Sequence, residues 1–527
     1  MAPETSERMG LGRAPGLLFR PDGDQTVVMR VADRQVAVLE GLAALVWDLA
    51  EQPVSPSTLA DRFGSWLDPD GDAGGTPTAF DSTIEALVSA GLLVEKNVAA
   101  RLASSVRLYD HHSGHRVGHH ADDRPETEHL DSGVRRLTPR PMPLFDASPA
   151  DGSRSAARSP ERSVEAILTA VAVHHLPGAP ELDLDLTSDA PLSGAVVTAA
   201  RHHQLTGSLI AGVRRGLIGL AVGARDDLER AHRDELLSCL YREAELLAVR
   251  DRLTGVVDGA DVVVLKGPAI AHLDEPDPSW RSFSDVDLLV RADRLDAVVQ
   301  VLQADGATRP WAQRRPGFDA RFAKSVTLTL ASGMELDLHR SLCDGVHGFR
   351  VPLPRLFEMG QSWDLGGREM VALAPVHRLL HAGHHAVLGS ARPKLMSVRD
   401  LAGYLSRGEV SVEEATREAE LWGGTAVLAD AVQVTGSAFG WLPERWARWV
   451  DAVEVSDRDR RIIARQQVEG SSFGPAKISA LAELAPGDRP AFALGVAFPS
   501  RAHLRSRGLT RWAQLSGGRR VRWRRAL

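Results

Sequence analysis

Two short segments give the clearest indication of the fold and of a functional site: VVVLKGP at residues 262–268 and DVDLLV at residues 285–290. The first is an apolar run that ends in Lys266 and Gly267, and the proline after the glycine suits the first turn of a helix. Backbone N–H groups at the start of a helix can bind phosphate. The segment therefore predicts a buried strand followed by a candidate anion site at Lys266 and Gly267.

The second segment predicts a strand with two carboxylates on one face. Side chains alternate along a strand, so Asp285 and Asp287 point to one face and Val286 and Leu288 to the other. Adjacent like charges repel, and a divalent cation allows both groups to remain ionised. Taken alone, such a pair is more often a solvated strand edge. Together with the preceding segment it favours a Mg²⁺ site completed by water and substrate phosphates.

A third acidic strand follows at residues 334–339, with the sequence MELDLH. Alternation places Glu335, Asp337 and His339 on one face of that strand. Asp337 is the candidate third metal ligand, or the base for an incoming nucleophile. Glu335 and His339 are second-rank candidates for site residues. A histidine such as His339 can orient a neighbouring carboxylate.

These segments resemble the nucleotidyltransferase superfamily of the DNA polymerase β type, and most closely its bacterial group of uncharacterised nucleotidyltransferases. The resemblance covers about residues 164–501 and rests on Leu265-Lys266-Gly267, on Asp277-Pro278 and Arg281 before the D-x-D pair, and on the Glu335–His339 strand. The Gly-Ser usual at the first strand end is Lys266-Gly267 here.

The resemblance implies specific roles for the matching residues. Asp285, Asp287 and Asp337 would be catalytic and would coordinate two Mg²⁺ ions, while a nucleoside monophosphate passes from an NTP to an acceptor. Lys266, Gly267 and Arg281 would bind the nucleotide.

The first 96 residues predict a small domain of strands and helices. Apolar runs at 17–19, 27–31 and 36–39 indicate strands, and helical spacing follows over 42–49, from Ser55 and over 84–88. The pattern is that of a winged helix. Fifteen acidic against seven basic residues in the first hundred argue against binding DNA.

This N-terminal pattern resembles the PqqD-like peptide-recognition domains. The resemblance implies that the domain binds the leader of a precursor peptide, which adds as a strand to an open sheet edge.

The predicted organisation has six parts. It comprises a PqqD-like domain at 1–96, a flexible His- and Arg-rich linker at 97–163, a helical segment at 164–250, the transferase core at 251–345, a C-terminal helical domain at 346–500 and a basic tail at 501–527. The fold class is therefore α+β, with a winged-helix-like domain ahead of an α/β transferase core that is flanked by helices. We expect the tail, with nine arginines and no acid, to project into water or touch an anionic surface. Histidines at 377, 381, 384 and 385 predict a packing helix more strongly than a metal site.

Composition favours an ordinary soluble, cytoplasmic protein. Of the 527 residues, 43% are hydrophobic and 25% charged, the net charge is −7, and there are two cysteines. These values exclude a disulfide framework and a collagen-like or coiled-coil chain. We also expect no membrane segment, because the most apolar window, residues 209–222, contains two arginines and is too short to span a bilayer.

The leading hypothesis is a magnesium-dependent nucleotidyltransferase that modifies a ribosomally made peptide held by the N-terminal domain. One alternative is a non-catalytic adaptor that binds the peptide. Another is an antitoxin-like transferase that modifies a protein partner. Transcriptional control ranks last because of the acidic N-terminal charge.

Overall fold

The computed structural model describes residues 9–55, 58–59, 77–97, 134–135, 160–389, 393–466 and 480–508. Within these ranges the chain mixes helices with small sheets and one larger mixed sheet, which confirms the α+β class. The chain divides into two compact units. The first contains the elements up to residue 97, and the second contains nearly all that follow.

The N-terminal unit combines two small sheets with helices. Its elements are β1 Met9–Arg13, β2 Leu17–Asp22, β3 Gln25–Arg30, β4 Val36–Leu39, α1 Gly41–Leu49, α2 Pro77–Ser89 and β5 Leu93–Asn97. Strands β2, β3 and β4 form an antiparallel meander, and β1 pairs with β5. Apolar residues of these elements meet in one core around Val46 and Trp47, both fully buried.

The predicted strands and helices of this unit match the observed ones closely, apart from β1, which the sequence analysis did not predict. Its sequence MGLGR has two glycines and no alternation, and it becomes a strand through its pairing with β5. The predicted helix from Ser55 lies mostly outside the described residues. The winged-helix interpretation stays a prediction.

The second unit is built on a six-stranded mixed sheet with the order β11-β12-β10-β9-β14-β13. The strands of this unit are β6 Val134–Arg135, β7 Leu184–Leu186, β8 Ile218–Leu220, β9 Val262–Leu265, β10 Val286–Val290, β11 Ser325–Thr329, β12 Glu335–His339, β13 Gln361–Leu365, β14 Arg368–Ala372 and β15 Leu442–Pro443. β10 lies at the centre, antiparallel to β9 and parallel to β12.

Helices surround this sheet. They are α3 Pro160–Val173, α4 Ala190–His203, α5 Thr206–Arg214, α6 Val222–Leu253, α7 Gly267–Leu273, α8 Leu295–Ala304, α9 Phe318–Phe322, α10 Gly345–Arg350, α11 Leu353–Glu358, α12 Pro375–Leu388, α13 Leu395–Arg407, α14 Val412–Leu421, α15 Thr425–Phe439, α16 Glu444–Ala452, α17 Asp457–Gln466, α18 Arg489–Ala497 and α19 Arg501–Ser506.

The two faces of the sheet have different neighbours, as alternation requires. Val263, Leu265 and Leu289 pack into one hydrophobic core with residues of the C-terminal helices. Asp287 lies opposite Leu265 in the pairing of β10 with β9, so it shares this face. The sheet therefore directs Asp287 toward the helical side of the unit.

Two predicted segments differ from expectation where the structure describes them. Val134–Arg135, inside the predicted linker, pairs with Leu442–Pro443, and the rest of residues 98–159 lies outside the described residues. Arg501–Ser506, at the start of the predicted basic tail, is a helix. His503 Nδ1 of this helix lies 2.7 Å from the carbonyl oxygen of Ala312, so the helix packs against another part of the second unit, while Arg501 and Arg505 are exposed.

Candidate functional site

The register of the central sheet brings two of the predicted acids together. β10 and β12 are parallel neighbours, and Asp287 lies directly opposite Asp337. His339 comes two residues after Asp337 and therefore points to the same face. One ligand atom each from Asp287, Asp337 and His339 lies within 4.8 Å of the others, and no other such group of three was found in the described part of the chain.

Burial increases across this cluster from one end of β12 to the other. Glu335 is exposed, Asp337 is half-buried and His339 is only 1% exposed. Asp287, on the neighbouring strand, is 4% exposed. A buried carboxylate needs partners to remain charged, so the contacts of Asp287 define the electrostatics of the site.

Asp287 is held between two nitrogen groups. His339 Nε2 lies 2.7 Å from one of its oxygens and Lys266 Nζ lies 3.0 Å from the other. Burial alone raises the pKa of the Asp287 carboxyl, but the hydrogen bond to His339 and the charge of Lys266 outweigh it and hold that pKa below its usual value. The carboxyl is therefore ionised, which is the form that can bind a cation.

Lys266 reaches Asp287 from an unusual backbone conformation. It is the residue between β9 and α7, with φ 45° and ψ −130°. L-residues rarely adopt a positive φ, and such strain is commonly found at functional sites. The next residue, Gly267, packs against Phe283, and a Cβ at Gly267 would come 3.1 Å from that ring.

The other two members of the cluster are oriented by neighbours. The Thr327 hydroxyl on β11 donates to an Asp337 oxygen across the antiparallel pair. His339 Nδ1 lies 3.2 Å from the carbonyl oxygen of Ser341, which can only accept a hydrogen bond. With Nδ1 at this carbonyl oxygen, the ring directs its Nε2 atom to the carboxylates, where Nε2 donates to Asp287.

Asp285 does not join this cluster. It precedes the first residue of β10 and its side chain is exposed, with the Ser284 hydroxyl 3.5 Å from one of its oxygens. Glu335 is exposed at the start of β12. Strand alternation assigns residues to a face, but it does not show that Asp285 lies before the first residue of β10 or that Glu335 is exposed.

Arg281 occupies a buried position away from solvent. Its guanidinium binds Asp400 of α13 through two nitrogens, at 2.8 Å and 3.3 Å, and donates to the carbonyl oxygen of Ser282. These contacts use three of its donors inside the protein. They join the segment before β10 to the C-terminal helices, and the predicted contact with nucleotide stays a prediction.

The sequence analysis did not predict the buried ion pairs that accompany Arg281. Arg378 of α12 binds Asp274, which also accepts from the Tyr404 hydroxyl. Arg399 of α13 forms a buried ion pair with Glu275. The available signal was the Asp274-Glu275 pair at the end of α7 together with arginines inside apolar helices, since buried charges require partners.

The four histidines of α12 divide into two groups. His377 lies 3.0 Å from a Glu418 oxygen and His384 packs against Trp422, so these two serve helix packing as expected. His381 and His385 instead line a small cavity with Lys266 and Asp400. Burial beside the Lys266 ammonium lowers the pKa of His385 to about 3, which leaves its ring neutral.

Residues 193–440 match the model of a protein family described as uncharacterised nucleotidyltransferases. The matched range contains Lys266, Asp287, Asp337 and His339 together with the helices that carry Arg378 and Asp400. The match supports a nucleotidyltransferase domain in this part of the chain. No curated protein matches the chain.

No helix among the described residues is both long and apolar enough to cross a bilayer.

Proposed function

We propose that the second unit transfers a nucleoside monophosphate from an NTP to an acceptor, with the help of a divalent cation. The observation that carries this proposal is the pairing of Asp287 with Asp337 on neighbouring strands. One carboxylate oxygen of each and one ring nitrogen of His339 all lie within 4.8 Å of one another. The family match over residues 193–440 supports the same class of reaction.

The chemistry of this group fits a divalent cation. Carboxylate oxygens suit Mg²⁺ and Mn²⁺, and Asp287 and Asp337 are the residues that would hold the ion. A cation bound there would offset phosphate charge and make an acceptor hydroxyl more acidic. The predicted two-metal arrangement requires a further ligand, and Asp285 at the exposed start of β10 is the proposed one.

Lys266 is the proposed contact for the triphosphate. Its side chain is 18% exposed and its ammonium group lies beside the carboxylates, so a short movement of this flexible side chain reaches a phosphate bound next to them. Gly267 follows in the same turn and retains its predicted role. Arg281 supports this region through Asp400, which holds α13 against the segment before β10.

Besides holding the cation with Asp287, Asp337 is the proposed base for the acceptor. It is only half-buried, so an acceptor hydroxyl from solvent can approach it. Thr327 orients the carboxylate by donating to one oxygen. Removal of the Thr327 hydroxyl is expected to keep the charge of Asp337 and to change only the orientation of its carboxylate.

The N-terminal unit is proposed to hold the leader of a precursor peptide. Within the described residues β4 is the last strand of its sheet and pairs only with β3. Val36 and Val38 of β4 are 37% and 44% exposed, so this edge offers apolar side chains beside open backbone groups. Addition of an extended peptide as a further strand uses this type of edge.

The direct test is pyrophosphate release by the full chain with each of the four common NTPs, Mg²⁺ or Mn²⁺, and peptides encoded beside its gene. Asp287→Asn should lower release at least about a hundredfold, because the most buried carboxylate of the cluster is lost. Asp293→Asn is the matched control, since Asp293 is exposed just beyond β10 and should behave as wild type. Equal rates for wild type and Asp287→Asn would overturn the proposal.

The same experiment separates the alternatives. An adaptor would bind a peptide with an affinity that neither metal nor Asp287→Asn changes, and would release no pyrophosphate. An antitoxin-like transferase would release pyrophosphate with a protein acceptor and not with a leader peptide. Val38→Lys at the β4 edge should weaken peptide binding only if that edge is the peptide site.

A further inference from the structure

We propose that His339 is the third ligand of the cation site, beside Asp287 and Asp337, and that this mixed set selects Mn²⁺ over Mg²⁺. The inference deepens the proposed function, on which it rests, because it concerns the cation of the same site. Its test measures cation binding and not turnover.

The position of His339 follows from the strand geometry. Asp337 and His339 lie on one face of β12, and Asp287 lies beside them on the parallel strand β10. Their ligand atoms are within 4.8 Å of one another. Metal–ligand bonds of about 2.0 to 2.2 Å place two ligands at most roughly 4.4 Å apart, so the group needs only a small contraction to share one ion.

The orientation of the ring is that of a metal-binding histidine. Such histidines commonly donate their other ring N–H to a carbonyl or carboxylate, which fixes the tautomer and the direction of the lone pair. His339 Nδ1 has this contact with Ser341, at 3.2 Å. A cation would displace the proton that Nε2 donates to Asp287, and this proton would be released to solvent. The ring is 1% exposed, so the surrounding residues hold Nε2 toward Asp287.

The ligand set therefore differs from the three carboxylates that the sequence pattern predicts. Asp285 is exposed outside the group, and an imidazole nitrogen takes the third position. Mg²⁺ strongly prefers oxygen ligands, whereas imidazole suits transition metals and carboxylate suits Mn²⁺ as well. Replacement of one carboxylate by an imidazole should therefore shift the preference of the site from Mg²⁺ toward Mn²⁺.

The test uses the full chain without NTP. Calorimetric titration should give a Kd for Mn²⁺ at least about tenfold lower than that for Mg²⁺. Electron spin-echo spectra of the bound Mn²⁺ should show coupling to a ¹⁴N nucleus, the direct signature of an imidazole ligand. This spectrum needs no variant, so it remains informative even if a substitution prevents folding.

Variants assign the nitrogen to His339. His339→Asn should remove the ¹⁴N coupling of the tight site, and His339→Asp, which supplies a third carboxylate, should reduce the Mn²⁺ preference to less than about threefold. His202→Asn is the control for weak binding to an exposed histidine, and it should change neither result. All these variants retain the histidines of residues 111–129, so that background stays constant.

Three outcomes would overturn the proposal. The first is a spectrum of Mn²⁺ bound to the wild-type protein that shows no nitrogen coupling, and the second is a coupling that persists in His339→Asn. The third is an equal affinity of the wild-type protein for Mn²⁺ and Mg²⁺. Nitrogen-coupled Mn²⁺ without pyrophosphate release under any condition would contradict the proposed function alone. Pyrophosphate release with Mg²⁺ and no nitrogen coupling would contradict His339 as a ligand alone.

Discussion

Lys266 combines an unfavourable backbone with a useful side chain. Its φ of 45° costs an L-residue roughly 1 to 2 kcal/mol relative to glycine, and strain of this size persists only where the rest of the fold imposes it. The same conformation directs the ammonium group to Asp287, 3.0 Å away. A glycine would fit this turn without strain, so we propose that the ammonium group is the reason for a lysine at this position.

A pair of substitutions at this position separates the two effects. Lys266→Gly and Lys266→Met both remove the ammonium group, but only glycine relieves the strained φ. We therefore expect Lys266→Gly to be more stable than Lys266→Met by about 1 kcal/mol, while both lose activity. Urea unfolding measures the difference, and equal stability of the two variants would show that the backbone is not strained.

Helix α12 contains histidines that are buried in neutral form. His384 Nδ1 lies 2.8 Å from the Leu380 carbonyl oxygen, and the His384 ring packs on those of His347 and Trp422. Burial lowers the pKa of His384 to about 4 and that of His347 to about 3. Charging either ring inside this core is unfavourable, so the helix depends on both remaining neutral.

The packing of α12 is therefore expected to make stability depend on pH. The pKa of both histidines is lower in the folded chain than the ordinary 6.5, so the unfolded chain binds more protons as the pH falls below 6.5. Stability should fall progressively from pH 6.5 toward pH 4.

His384→Gln should lessen the loss of stability between pH 7 and pH 5 by about 1 to 2 kcal/mol, because one titrating group is removed. Urea unfolding at the two pH values checks this, with exposed His202→Gln as the control. An unchanged pH dependence in His384→Gln would contradict the prediction.

A buried ion pair between Arg399 and Glu275 connects helix α13 to the segment that follows α7. Arg399 and Glu275 are each about 1% exposed at their side chains. Glu275 also contacts Arg407, at 3.5 Å, so removal of Arg399 takes away its main buried counter-charge and leaves only this longer contact. Removal of both partners leaves no carboxylate there to compensate. Arg399→Met should therefore lower the free energy of unfolding by about 3 to 5 kcal/mol.

The double variant Glu275→Leu/Arg399→Met is the control for this prediction. It should be more stable than Arg399→Met, since no unpaired charge remains. If the loss of unfolding free energy in the double variant equals the sum of the losses in the two single variants, the two side chains do not interact.

At the scale of the whole molecule, charge is distributed unevenly. The first hundred residues carry fifteen acidic and seven basic side chains, whereas residues 501–527 carry nine arginines and no acid. Nucleic-acid binding requires a basic surface. The N-terminal unit lacks that composition, and only the C-terminal segment has it.

We expect the full chain to show no DNA binding that depends on residues 1–97. Fluorescence anisotropy with a duplex of about 30 base pairs, measured at low and at physiological salt, checks this. Any salt-sensitive binding should disappear when residues 509–527 are removed. Binding that persists in the shortened chain would return transcriptional control to consideration.

Much of the fold could be predicted from local pattern. Alternation and apolar runs identified β9, β10 and β12 and the faces of Asp287 and Asp337, because these properties depend on neighbouring residues alone. The local pattern could not predict β1, because its glycine-rich sequence forms a strand only by pairing with β5. It also could not show that Arg281 is paired with Asp400, which is 119 residues away.

The two acidic strands, the Lys-Gly turn and the helices that follow can all be identified from the amino-acid sequence alone. The grouping of Asp287, Asp337 and His339, with Asp285 outside it, becomes visible only in the folded chain. The physical reason is register: alternation assigns a side chain to a face, whereas its depth and neighbours depend on how strands far apart in sequence align.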